Sequence, residues 1–66
     1  MTPEQKAAYV QAQTAAMLCE LESMKVANRE RERRGEAYAY GEGEFFDLPA
    51  KYGVTHNQVV SFFTGV

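Results

Sequence analysis

The chain has no tryptophan, one cysteine, one histidine and only two prolines, and its apolar runs are short. Each shortage removes a class of answer. Cys19 has no partner for an intrachain disulfide, and together with His56 it falls short of the ligand count of a zinc site. A membrane-spanning helix needs about 18 or more consecutive apolar residues, and no stretch approaches that. The opening MTPEQKAAYV has neither the basic start nor the apolar core of a secretory signal, so a cytoplasmic protein is expected. There is no glycine motif to cradle a phosphate, no nucleophile spaced to meet a base and no metal-ligand cluster. No enzymatic activity, cofactor or metal is therefore expected. Cys19 lies in an alanine-rich run and reads as a small buried or half-buried hydrophobe.

What is present is 66 residues with 45% hydrophobic and 24% charged content, the composition of one small globular domain. So short a chain buries little surface. Without a disulfide or a metal, the remaining external source of stability is association with another chain.

Helix signals dominate. Thr2-Pro3-Glu4-Gln5 combines a threonine cap, proline in the first turn, an early acid and glutamine at the capping-box position. No further glycine or proline occurs before Gly35, so one long helix is expected over residues 3–34. Val10, Met17, Leu21 and Met24 recur at helical spacing, with Thr14 and Asn28 in the same seam and Leu18 beside it. The many alanines of this segment permit close approach of another helix. Part of the surface is expected to pack against the same chain, and the rest to be open to a second copy or another protein. The run NRERERRG carries Arg29, Arg31, Arg33 and Arg34. It suits an exposed helix end, where cations complement the helix dipole and Glu30 pairs with Arg34.

Residues 35–43, GEAYAYGEG, read as a linker that lets the chain turn back, with the Tyr38 and Tyr40 rings covering the apolar side of the long helix. A stacking platform for single-stranded nucleic acid is the sharper alternative for the two tyrosines, but Glu36, Glu42 and Glu44 stand against it. Beyond the linker, a short helix is expected from Glu44 to Tyr52, closed by Gly53. Pro49 fits only if the helix effectively begins near Phe46 or Asp47. Thr55-His56-Asn57-Gln58 repeats the capping-box pattern and starts a last helix, which Gly65 ends. His56 at this helix start reads as a surface residue of the cap.

Residues 44–62 resemble a helix-turn-helix: Leu48, Val59 and Phe62 fall at its buried positions, Gly53 at its turn, and Val54 and Thr55 just after. Pro49 departs from the pattern, since it replaces the small residue at the helix crossing. The resemblance implies a DNA-reading role for His56, Asn57, Gln58 and Ser61, and asparagine and glutamine suit adenine. Charge opposes that role. Residues 35–66 carry Glu36, Glu42, Glu44 and Asp47 against Lys51, a net −3, and residues 1–34 sum to only +1. Duplex binding rests on phosphate neutralisation, so a DNA-binding form would be a dimer that brings its arginines beside His56 to Ser61.

A second resemblance covers most of the chain. YVQAQTAAMLCELESMKVAN followed by GEAYAYGEGEFFDLPAKYGVTHNQVVSFF is similar to a group of small early-region proteins of lambda-like phages and prophages. It implies an accessory protein of the bacterial host cytoplasm that tilts infection toward lytic growth or alters host physiology. No site residues come with it. The combined expectation is an all-α single domain over residues 1–66: a long helix (3–34), a linker (35–43) and a helical pair (44–64) folded back on it. Its core would draw on Phe45, Phe46, Leu48, Tyr52, Val54, Val59, Phe62 and Phe63. Its work would be protein binding, to a host or phage protein or to itself, through uncovered Met17, Leu21 and Met24 with Arg29, Arg31, Arg33 and Arg34. A helix-turn-helix DNA regulator is the alternative.

Overall fold

The structure, a computed structural model, describes residues 1–65 and places them in four helices with no strand among them. Helix α1 runs from Pro3 to Arg33, about 46 Å at 1.5 Å per residue. Its start is the expected capping box: Gln5 N donates to Thr2 Oγ1 at 3.1 Å, and Thr2 N donates to Gln5 Oε1 at 2.9 Å. Its end is fixed by Gly35, whose φ of +74° lets the backbone reverse. Glu36 N then reaches Arg31 O at 2.8 Å and Gly35 N reaches Glu32 O at 3.1 Å, satisfying two terminal carbonyls.

The single short helix expected over Glu44 to Tyr52 is two helices. α2 covers Glu42–Phe46 and α3 covers Leu48–Lys51, with Asp47 between them. Pro49 is the reason. It cannot donate to the carbonyl of Phe45, and its ring crowds that carbonyl, so the ladder breaks and α3 restarts with Pro49 in its first turn. The chain turns after Tyr52 at Gly53, φ +71°, and Val54 N donates back to Pro49 O at 2.9 Å. Thr55 then caps α4, His56–Thr64.

The short helices run antiparallel along one side of α1. Asn28 meets Tyr40, Glu20 meets Lys51, Gln13 Nε2 donates to Tyr52 O at 3.2 Å, and the Tyr9 and Phe62 rings sit 5.3 Å apart. Near the start of α1, Lys6 Nζ donates to Phe63 O at 3.4 Å. The result is a slab of 49 × 18 × 11 Å, essentially one helix thick. Its radius of gyration is 15.2 Å, against about 11 Å for a compact chain of this length.

A thin slab has a thin core. Among the described residues only Met24 and Leu48 are buried, each 4% exposed, where α1 meets α3. Phe45, Tyr52, Val54, Val59 and Phe62 are half-buried, as are Val10, Thr14, Met17 and Leu21 on the facing stripe of α1. Several expected core members lie outside. Phe46 is 83% exposed and Phe63 is on the surface, because neighbours in a helix point about 100° apart and only one of each pair meets α1. Tyr38 is 60% exposed, and its hydroxyl donates to Glu32 at the charged end of the long helix, so the ring lies there and not over the apolar stripe. Cys19 is exposed, a correction to the expected half-burial, because it falls outside the stripe of α1 that the short helices cover.

Candidate partner-binding surface

The inward stripe of α1 is the expected seam of Val10, Thr14, Met17, Leu21, Met24 and Asn28. Folding back the second half covers it within one chain. Met24 is therefore a core residue and not part of an uncovered face, while Met17 and Leu21 lie half-buried along the same stripe. The arginines remain outside. Arg33 pairs with Glu30 at 3.2 Å and Arg34 with Glu36 at 2.6 Å, in place of the expected Glu30–Arg34 pair. Gly35 causes this difference, since the reversal after it brings Glu36 against Arg34. Among the described residues, Arg29 and Arg31 have no ion-pair partner.

At the same end, a recess of about 260 Å³ lies between α1 and the linker, lined by Lys25, Asn28, Arg29, Glu32, Tyr38 and Phe45. Two aromatic rings, two cations and the Glu32 carboxylate line it, and its floor is held in place. Asn28 Nδ2 donates to Tyr40 O at 2.9 Å and Tyr40 N donates to Asn28 Oδ1 at 3.0 Å, which fixes the linker to α1. A second recess of about 220 Å³ lies behind it, among Glu20, Met24, Tyr40, Glu44, Asp47, Leu48 and Lys51.

Glu20 is the most committed ionisable group of that second recess. Its Oε1 accepts from Lys51 Nζ, and its Oε2 is covered with no partner at full hydrogen-bond geometry. The Lys51 ammonium, and then the Tyr52 hydroxyl, hold the Glu20 carboxyl below its ordinary range. The same contact raises Lys51, and Glu20 raises the Tyr52 hydroxyl, with burial adding to the shift. One exposed ion pair clamps α3 to the middle of α1. Among the described residues no group of histidine, cysteine and carboxylate side chains is placed to hold a metal ion.

The residues of the helix-turn-helix resemblance occupy one open surface. Asn57, Gln58, Ser61 and Phe62 line a shallow depression of about 500 Å³ on α4, and His56 is exposed at its start. Gln58 is not free to read bases. Its Oε1 accepts from Thr55 N at 3.2 Å and Thr55 Oγ1 at 2.8 Å, while its Nε2 donates to Ala50 O at 3.2 Å. That last bond joins α4 to α3 across the turn. The arginines are far away: α4 packs beside Tyr9, and Arg29 lies twenty positions further along α1, about 30 Å.

The most exposed large apolar side chain, Phe46, was assigned to the core by its sequence. One signal could have flagged it. Phe45-Phe46 places two rings on successive helical positions against a single facing helix, so one ring must face outward. Apolar surface also appears at Tyr9, Leu18, Val26, Val60 and Phe63. No helix among the described residues is long and apolar enough to cross a membrane. Comparison with protein-family models, with characterised proteins and with solved structures finds no match for this chain.

Proposed function

We propose that the chain is a small non-enzymatic accessory protein that works by binding another protein, at the end of the slab where Phe46 and the arginines lie. The observation that carries this reading is the inversion of its apolar groups. Among the described residues two side chains are buried, whereas a phenylalanine stands 83% exposed beside an aromatic recess edged by Lys25 and Arg29. Exposed aromatics and arginines are the groups that anchor protein interfaces. The biological setting rests on the phage resemblance alone: the cytoplasm of a bacterial host, with the protein modulating host physiology or the balance of lytic and lysogenic growth.

The test is a photo-crosslinking amino acid placed at Phe46 and, as a control, at Gln11, in bacteria expressing the chain. A discrete protein adduct from position 46 and none from position 11 is expected. Absence of any adduct from position 46 overturns the reading.

A helix-turn-helix DNA regulator is the second reading, favoured by the exposure of His56, Asn57 and Ser61 on α4. Its weakness is charge, because the arginines lie about 30 Å from those residues along α1 and only a dimer would bring them together. An amide-shift titration with a DNA duplex at low and then high salt decides it. Salt-sensitive shifts at His56 to Ser61 would favour DNA, and silence at low salt would remove it.

A further inference from the structure

We propose that the partner at this end is a second copy of the chain, whose Phe46 ring enters the recess between α1 and the linker. The proposal rests on the protein-binding reading above and names its occupant. The recess of about 260 Å³ is smaller than the roughly 300–1,000 Å³ of sites for whole small ligands and suits one side chain. Its lining of Tyr38 and Phe45, edged by Lys25 and Arg29, favours an aromatic ring by edge or face contact and by cation–π attraction. The chain's own Phe46 cannot fill it, because Phe45 already points there and the next helical residue points about 100° away.

Charge selects the same occupant. Phe46 is flanked by Glu44 and Asp47, with Glu42 one turn away, and the recess is edged by Lys25 and Arg29 beside the Glu32 carboxylate, with Lys25 already paired to Glu22 at 3.2 Å. Among the described residues Asp47 and Arg29 have no ion-pair partner within the chain. An acidic knob and a recess edged by an uncommitted arginine, on one small surface, are self-complementary. A two-fold axis between them lets each ring enter the other copy's recess, giving a closed pair and not a filament.

Area supports a dimer of ordinary size. The chain exposes 4935 Å², about 700 Å² more than the roughly 4,200 Å² expected of a compact monomer of its mass. A standard interface removes about 800 Å² from each partner. One such contact would bring the chain close to the surface of a compact fold.

Sedimentation equilibrium over about a hundredfold range of concentration tests the proposal, with the folded state of each variant checked by circular dichroism. The wild type is expected to pass from monomer to dimer, and Phe46→Ser to remain a monomer. Arg29→Glu and Asp47→Lys each place like charges in both contacts and should weaken the dimer about tenfold or more. Mixed together, these two variants form a pair with one native contact and one reversed but still attractive contact, so the dimer returns. A wild type that stays monomeric, a dimer indifferent to Phe46→Ser, or a mixture that stays monomeric overturns the proposal. A monomeric wild type that still cross-links through position 46 to another protein overturns the second copy alone. A monomer with no adduct overturns both readings.

Discussion

Asn28 and Tyr40 bond each other twice: the Asn28 amide donates to the Tyr40 carbonyl at 2.9 Å and accepts from the Tyr40 amide at 3.0 Å. This one side chain supplies both backbone groups of a linker residue with partners, as a neighbouring strand would. Twelve residues separate the two, and the contact sets where the returning chain begins to lie against α1. The polar position in the apolar seam is thus the anchor of the hairpin.

Asn28→Ala should cost about 1–2 kcal/mol, since it leaves two backbone groups to compete for water. Asn28→Asp should cost more, because it keeps the acceptor but sets a carboxylate against the Tyr40 carbonyl. Thermal unfolding of both variants checks the order, and hydrogen exchange at the Tyr40 amide should accelerate more in Asn28→Ala than in Asn28→Asp. Equal stability for all three proteins would mean that the linker is held elsewhere.

Gln58→Ala should destabilise by about 1–2 kcal/mol, through loss of the capping box on α4 and of the bond to Ala50 O that joins the two helices of the turn. This has a consequence for any DNA-binding assay. A double replacement of Asn57 and Gln58 would mix a structural defect with a lost base contact, whereas Asn57→Ala with Ser61→Ala leaves the turn intact. Urea denaturation of Gln58→Ala beside Asn57→Ala separates the two, with Asn57→Ala expected within about 0.5 kcal/mol of wild type.

Local signals carried most of the fold. Thr2 with Gln5, Thr55 with Gln58, and the glycines at 35, 53 and 65 mark helix boundaries through short-range backbone chemistry, and the helices begin and end beside them. Pro49 was legible as a problem but not as the break between Phe46 and Leu48, because the sequence does not show that a helix already runs from Glu42. Which apolar groups would be buried was harder to read. A seam such as Val10 to Met24 looks the same whether its own chain or another covers it. Likewise Phe45 and Phe46 are equivalent until the direction of α2 against α1 is known. The recess at Lys25, Arg29, Tyr38 and Phe45 joins residues from α1, the linker and α2, so no local pattern announces it.

The Glu20–Lys51 pair gives stability a pH dependence at both ends. Glu20 sits below its ordinary range in the folded chain, so its contribution is present above the unfolded carboxylate value and fades as pH falls through the folded one. Lys51 and Tyr52 are both raised, so theirs is present below their unfolded values and is lost as pH rises through the folded ones. Glu20→Gln should flatten the melting temperature against pH on the acid side and remove part of the alkaline decline as well. An unchanged profile would mean that solvent screens the pair completely.

Leu48→Ala and Phe46→Ser should act at different levels, the single chain and the pair, although the two residues are two positions apart. Leu48 is one of two buried side chains among the described residues, and removing its methyl-bearing arm should cost about 2–4 kcal/mol. A chain of this length has little more stability than that to lose, so the variant is expected to be largely unfolded at ambient temperature. Phe46 makes almost no intrachain contact, so a dilute Phe46→Ser monomer should unfold within about 0.5 kcal/mol of the dilute wild type. At high concentration the two should diverge, because only the wild type gains stability from the second copy by mass action. Chemical denaturation at the two concentrations measures both effects. A Phe46→Ser loss that is already complete in the dilute samples would place that ring in the fold of the single chain.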